Sequence, residues 1–167
     1  SSSSTGPSGD VSGTGNYLFV ETSGGSAGDE AYLVMPQINI SALTNPGVSF
    51  FYHMYGSTMG TLQVQARNAG SSAWTTIWSL SGQQQGDELD PWLPASADLG
   101  AFSSIVEIRF TMIHDVGGCC TSDMAIDEVS VANVCPSPSN ITFDNVYDTS
   151  IDVAWTGSAS SYTVEIQ

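Results

Sequence analysis

Residues 105–112, IVEIRFTM, alternate between apolar and polar side chains with a period of two. The even-numbered positions from Val106 to Met112 are apolar and would share one face of an extended strand, whereas the odd-numbered positions between them are charged or polar. This alternation is typical of an antiparallel sheet with one buried and one solvated face. Residues 61–67, TLQVQAR, repeat the pattern and predict a second strand of the same kind.

Five further runs alternate in the same way, and clusters of Gly, Pro, Asn and Ser separate them. No stretch of the sequence has the helical period. Short strands joined by turns predict an all-β fold, an antiparallel β-sandwich or jelly roll. The five runs are Tyr17–Thr22, Ala31–Met35, Val48–Tyr55, Trp74–Leu80 and Ala125–Val131.

Residues 81–100, SGQQQGDELDPWLPASADLG, are longer than the other segments between the predicted strands, and we interpret them as a loop. Loops of this length in a compact domain are often functional, which makes the segment a candidate binding surface. The alternative is a connection that only carries the chain from one sheet to the other.

The 167 residues include 17 Asp and Glu but only two basic residues, Arg67 and Arg109, and the formal net charge is −15. Such a surface repels nucleic acid and anionic lipid, which leaves cations, sugars and basic proteins as partners. Charged residues make up only 11% and hydrophobic residues 41%, so the chain should fold. No apolar run reaches the roughly 18 residues of a membrane span, and we expect no direct membrane insertion.

Three cysteines, Cys119, Cys120 and Cys135, leave one unpaired if a single disulfide forms. A bond between the two adjacent cysteines would close a strained ring, so a partner at Cys135 or outside the chain is easier to satisfy. Three free thiols are the alternative, and the pairing stays open.

The segment VCPSPSN, residues 134–140, places two prolines after the last strong strand and indicates a domain boundary. We therefore expect a first domain over residues 1–133 and a second that begins at residue 134.

Residues 4–131 carry five sequence blocks that together resemble the MAM domain, the adhesion module of meprins, neuropilins and receptor tyrosine phosphatases of the mu type. The resemblance implies a non-catalytic, extracellular β-sandwich. The blocks are TGPSGD at 5–10, GNYLFVE at 15–21, VSFFYHMYG at 48–56, MGTL at 59–62 and DMAIDEVSV at 123–131.

The sequence departs from the family in three places. The family's N-terminal strand precedes TGPSGD and is missing here, so we expect a longer parent chain. The cysteine pairs of animal members are also absent, as in bacterial members of the family. Finally, Glu128 stands where many members have a second Asp.

Residues 134–167 resemble the opening of a fibronectin type III domain through PSNI at 138–141, SIDVAW at 150–155 and YTVEI at 162–166. The resemblance implies about three strands of a partial immunoglobulin-like sandwich.

Asp127 is the best metal candidate, with Asp10 and with Glu21 or Asp123 as further ligands. Hard cations such as Ca²⁺ take six to eight oxygen ligands, often from two or three carboxylates. We expect a structural Ca²⁺, with Na⁺ as the alternative. Otherwise Asp127 hydrogen-bonds to loop amides.

Ligand-binding candidates cluster in the long segment as Asp87, Glu88, Asp90 and Trp92. The alternate acids resemble a glycosidase pair, but Pro91 follows at once and a third acid is absent. Trp92 could stack on a sugar together with Trp74, Trp78, Tyr52 and Tyr55, although aromatic residues in a sandwich more often belong to the core.

These observations predict an extracellular, secreted or cell-surface module that is not an enzyme and that binds other protein domains. The alternative is a carbohydrate-binding accessory module attached to a secreted hydrolase or protease. Partners would be protein domains, glycans or neighbouring domains of the parent chain, and nucleic acid is excluded.

Overall fold

The computed structural model describes residues 5–114, 121–134, 139–145 and 152–156. The chain separates into two compact units, Ser1–Val134 and Cys135–Gln167. The three cysteines and the YTVEI segment lie outside the described residues.

Nine strands in the described part of the first unit form two antiparallel sheets. The strands are β1 Leu18–Val20, β2 Glu30–Val34, β3 Ile38–Asn39, β4 Pro46–His53, β5 Thr61–Asn68, β6 Thr75–Ser81, β7 Leu93–Asp98, β8 Ile105–Ile113 and β9 Met124–Asn133. The first sheet has the order β1-β9-β4-β7, and the second has the order β2-β8-β5-β6, with β3 also paired to β8. The prediction of an all-β antiparallel sandwich is confirmed.

The core lies between the two sheets. From the second sheet it takes the alternate residues of β5 and β8 that the sequence predicts, including Leu62, Val64 and Phe110, all fully buried. From the first sheet it takes Phe50, whose ring meets the Phe110 ring edge-on at a centroid distance of 5.0 Å. Burying this apolar surface is the main force that holds the sheets together.

The interpretation of residues 81–100 as one loop is wrong. Residues Leu93–Asp98 form β7, which pairs antiparallel with β4 at the edge of the first sheet. Pro94 hides this strand in the sequence, because proline lacks an amide donor and is tolerated only on edge strands. The connection between β6 and β7 is therefore residues 82–92.

A β-bulge interrupts the pairing of β9 with β4, where the register shifts between Ser49 and Phe51. Glu128 lies in the bulge and has a φ of 47°. Residues other than Gly, Asn and Asp seldom adopt this left-handed backbone conformation. The bulge moves the inward positions of β9 from even to odd residue numbers, so that Ile126, Val129 and Val131 all contact the core.

In the second unit, β10 Ser139–Asp144 pairs antiparallel with β11 Asp152–Thr156. The likeness of this unit to a fibronectin type III domain stays a prediction.

Candidate functional site

The N-terminal segment, residues 5–17, lies over part of the outer face of the first sheet. Thr5 lies against Asp123, a fully buried residue at the start of β9. The carboxylate of Asp123 accepts hydrogen bonds from the Thr5 hydroxyl at 2.9 Å and from the Thr22 amide and hydroxyl at 3.1 and 3.2 Å. Asp123 therefore ties the N-terminal segment and the end of β1 to β9.

Asp127 makes the next tie along β9. Its Oδ2 accepts the Val11 amide at 3.0 Å, and its Oδ1 accepts the amide of Glu128 at 2.8 Å. These are the loop-amide hydrogen bonds that the sequence leaves as the alternative to metal binding. Because Val11 follows Asp10, the contact brings two predicted metal ligands to the same region.

Asp10 organises the turn that follows it. The Ser12 hydroxyl donates to Asp10 Oδ2 at 2.6 Å, and this bond, with backbone amides that include that of Gly15, lowers the pKa of the Asp10 carboxyl. Its other oxygen, Oδ1, is buried and has no hydrogen-bond partner among the described residues. That oxygen could accept a further donor or ligate a cation.

The four predicted metal ligands do not form one cluster. Asp10 and Asp127 approach each other through Val11, whereas Glu21 lies beyond the end of β1 and lines a different cavity. Asp123 uses both of its oxygens in buried hydrogen bonds. Within the described ranges, no three His, Cys, Asp or Glu side chains are placed to hold one metal ion.

Trp92, which directly precedes β7, also contacts the N-terminal segment. Its indole Nε1 donates to the Gly9 carbonyl at 3.1 Å. Its ring packs against the rings of Tyr17 and His53, with centroid distances of 5.4 and 5.8 Å. The Tyr17 hydroxyl in turn donates to the Pro7 carbonyl at 2.9 Å. The side chain predicted to stack on a sugar thus has a packing role.

His53 lies fully buried under this cover. Neither ring nitrogen makes a well-formed hydrogen bond within the described part of the chain. Burial lowers the pKa of His53, and the nearby backbone and carboxylate of Asp90 offset part of that effect. The neutral imidazole is therefore the form that fits this face.

A cavity of about 330 Å³ lies between the N-terminal segment and the β6–β7 connection, and we call it the loop cavity. Its lining includes Asp10, Glu88, Asp90 and Trp92. Asp87 does not line the cavity; its Oδ1 accepts the Leu89 amide at 2.9 Å. Asp90 Oδ2 accepts two amides, those of Gly86 and Asp87, so this acid also holds the loop in shape.

The other aromatic residues do not join Trp92. The rings of Trp78 and Tyr52 pack against Phe50 and belong to the core. The five-residue aromatic platform that the sequence allowed is therefore not assembled, and the core alternative holds for these two residues.

The outer face of the second sheet carries a ladder that sequence reasoning missed, and we call it the arginine ladder. The Arg67 and Arg109 guanidinium carbons lie 4.3 and 4.5 Å from the ring centroid of Trp74, and Arg109 lies 4.4 Å from the Tyr32 ring. Arg67 also pairs with Glu107 at 2.5 Å. Because side chains alternate along β5 and β8, both arginines lie on the outer face. The sequence pattern alone could therefore have predicted that they share this face.

Exposed apolar side chains gather where the edges of the two sheets meet, and we call them the edge patch. They come from β1 and β2, and they line a cleft of about 190 Å³ that reaches Phe110 and Ile126. The patch consists of Leu18, Phe19, Tyr32 and Leu33, with the neighbouring Val34 at 58% exposure.

The fold and these surfaces define an all-β recognition module built as a two-sheet sandwich. The chain belongs to the MAM family, because the model of the MAM domain (meprin/A5/mu) matches residues 1–136. MAM domains are non-catalytic adhesion modules of cell-surface and extracellular proteins, and the predictions of a non-enzymatic, extracellular module are confirmed. No helix in the described residues is long and apolar enough to cross a membrane.

The chain is similar to human MAM domain-containing glycosylphosphatidylinositol anchor protein 1, with 40% identity over 140 residues that cover 81% of the chain and 14% of that relative. It is similar to the mouse anchor protein 2, with 34% identity over 77% of the chain and 14% of the relative. Mouse neuropilin-1 is 28% identical over 98% of the chain and 17% of its own length. The chain therefore spans about one seventh of the relatives it matches.

Proposed function

We propose that this MAM module binds another protein domain through the edge patch. The observation that carries the proposal is the concentration of exposed apolar side chains on two neighbouring edge strands, with Leu18 at 55% and Val34 at 58% exposure. Contiguous exposed apolar surface is typical of protein interaction sites. Edge strands also present backbone amides and carbonyls that can pair with a strand of a partner.

The test is a bead-binding assay in which beads coated with the chain bind cells or one another. Leu18→Lys and Val34→Lys should each lower binding at least about fivefold, because a buried lysine in an apolar contact costs more than one kcal/mol. Leu89→Lys is the matched control, since Leu89 is 71% exposed and lies outside the patch. Equal binding by all three variants would show that the edge patch is not the interface.

We also propose that residues 134–167 begin a fibronectin type III-like domain and that the parent is a larger secreted protein of bacterial type. The antiparallel pair of β10 and β11 agrees with the first expectation. The small share of each relative that the chain covers supports a larger parent chain, whereas the bacterial type rests only on the absent cysteine pairs. Neighbouring domains of the parent would then be among the partners.

Carbohydrate binding is the second candidate function. The loop cavity favours it, because carboxylates beside the edge of an indole can hydrogen-bond to sugar hydroxyls. On a glycan array, Glu88→Ala should weaken any binding at this cavity, because it removes the hydrogen-bonding group, while Leu18→Lys should leave it intact. Glycan binding that is unchanged by the substitution of Glu88 would show that the loop cavity is not the binding site.

A structural Ca²⁺, or Na⁺ in its place, remains a proposal for the Asp10 and Asp127 region. The unpartnered Asp10 Oδ1 supports it, whereas the lack of a third nearby carboxylate among the described residues weighs against it. A ligand at 100 times its Kd raises the free energy of unfolding by about 2.7 kcal/mol. Calcium should raise the melting temperature of the wild type and not that of Asp127→Asn; no shift in the wild type removes the proposal.

A further inference from the structure

A cavity of about 180 Å³ opens where β1 ends and β2 begins, beside the end of β8, and we call it the His114 cavity. His114 lines it and is only 4% exposed. Neither ring nitrogen has a hydrogen-bond partner among the described residues. A buried polar group without a hydrogen bond costs folding free energy. A ligand in the cavity that hydrogen-bonds to this imidazole would remove that cost.

Three acidic residues, Glu21, Asp29 and Glu30, line the same cavity, and the Glu30 carboxylate also accepts a hydrogen bond from the Tyr32 hydroxyl. The amide of Ser26 donates to Asp29 Oδ2 at 2.8 Å, which fixes the position of that carboxylate. Within the described chain, no three His, Cys, Asp or Glu side chains are placed to hold one metal ion. The acidic charge of the lining favours a cationic ligand over an anionic one.

Apart from Thr22 and Gly25, the remaining walls are apolar. Val20, Ala31, Met112 and Met124 line the cavity alongside the polar groups. A ligand that fits must combine an apolar stem with a cationic, hydrogen-bond-donating head. A lysine side chain has this form, with a stem of four methylene groups and an ammonium with three donors.

We propose that the His114 cavity receives a lysine side chain of a protein partner, with the ammonium group at His114 and the carboxylates. The inference rests on the proposed function and names the chemistry of the partner. The lysine side chain has five non-hydrogen atoms. At about 30 Å³ each, the volume of a water molecule in the liquid, they need roughly 150 Å³. The cavity of about 180 Å³ can hold them. The chain has no lysine of its own and a formal charge of −15, so a basic partner is complementary to it.

The test uses Nα-acetyl-lysine methylamide as the probe and its Nε-acetylated form as the matched control, with binding followed by NMR shift changes. The lysine probe should shift the signals of His114 and its neighbours saturably, and the acetylated form, which lacks the charge, should not. Asp29→Asn and Glu30→Gln should each weaken binding about threefold to fivefold, as expected for partly exposed charge pairs. Glu128→Gln removes the same charge outside the cavity and should change nothing.

Three outcomes would overturn the proposal: no saturable binding of the lysine probe, equal binding of the acetylated form, or weakening by Glu128→Gln as strong as that by Glu30→Gln. Saturable binding of Zn²⁺ alone at His114, without binding of the amine, would also overturn it and would assign the cavity to a metal. None of these results bears on the edge patch, whose test is the bead assay with Leu18→Lys.

Discussion

The two outer faces of the sandwich are covered in different ways. Part of the first sheet is covered by the N-terminal segment, which is held by buried hydrogen bonds to Asp123 and by the packing of Trp92 against Tyr17 and His53. The second sheet meets solvent through the arginine ladder and through Gln63 and Gln65, which are hydrogen-bonded to each other on β5. One face thus depends on burial and the other on partly exposed charge, so their sensitivities to mutation and pH should differ.

The largest expected effect is at Asp123 on the first face. Asp123→Ala leaves the Thr5 hydroxyl and the Thr22 amide buried without their acceptor and should lower the free energy of unfolding by about 3–5 kcal/mol. Urea denaturation measures the loss. Asp98→Ala is the control, because the exposed Asp98 carboxylate accepts the Gly100 amide and no other hydrogen bond among the described residues, and the change should cost about 1 kcal/mol or less. Equal losses would show that the cover of the first sheet contributes little.

The next effect is a pH dependence that separates the faces. Burial holds the folded-state pKa of His53 below its ordinary value of 6.5. Below pH 6.5 the unfolded chain therefore binds a proton that the folded chain does not, and stability falls as the pH drops from 6.5 toward the folded-state pKa. Thermal unfolding should show this loss in the wild type and not in His53→Phe.

Glu107 on the second face provides the contrast. Hydrogen bonds from Gln37 and Arg67 lower the pKa of Glu107, so its contribution is present above its ordinary value of 4.5 and is lost as the pH falls through the lower folded-state pKa. Glu107→Gln should therefore leave the loss between pH 6.5 and 4.5 unchanged. If it removes that loss, the assignment to His53 is wrong.

A smaller effect is expected at Trp74, the centre of the arginine ladder. Trp74→Ala removes two cation–π contacts, each about 0.5–1 kcal/mol at exposed sites, and should lower the free energy of unfolding by about 1–2 kcal/mol. Trp74→Phe keeps a ring and should recover part of the loss. A loss as large as that of Asp123→Ala would mean that the two faces do not differ in kind.

The smallest effect is a gain at the bulge in β9. Glu128 is exposed and has a φ of 47°, which costs about 1 kcal/mol for most side chains. Glu128→Asn should raise the free energy of unfolding by about 0.5–1 kcal/mol, because Asn tolerates this conformation better. Glu128→Val, which tolerates it worse, should lower the free energy; a gain from both would exclude the backbone as the cause.

The second sheet could be predicted from sequence because its faces follow simple alternation, as in Leu62, Val64 and Ala66. The edge strand β7 could not, since Pro94 weakens the strand signal and only the pairing with β4 reveals it. Short-range patterns likewise could not separate Asp123 from Asp127. Their partners, Thr5 and Val11, lie more than 100 residues away in sequence, and only the fold brings them together.

The fold brings only some of the predicted ligand residues together. Glu88, Asp90 and Trp92 line one cavity because the β6–β7 connection folds back over the N-terminal segment. Glu21 lies apart from Asp10 and Asp127, because it follows β1 toward β2 and the His114 cavity. His114 has no sequence motif around it, and it stands out only because its ring nitrogens are buried and lack a hydrogen-bond partner among the described residues.

The arginine ladder has a consequence for proteolysis. Arg67 and Arg109 are the only basic residues in the sequence, so they are the only positions at which a protease of trypsin specificity can cut. Both lie within β5 and β8, two paired strands inside the second sheet, and each guanidinium is stacked on Trp74. Cleavage therefore requires the sheet to open, and digestion by trypsin should report the population of the opened state rather than the motion of surface loops.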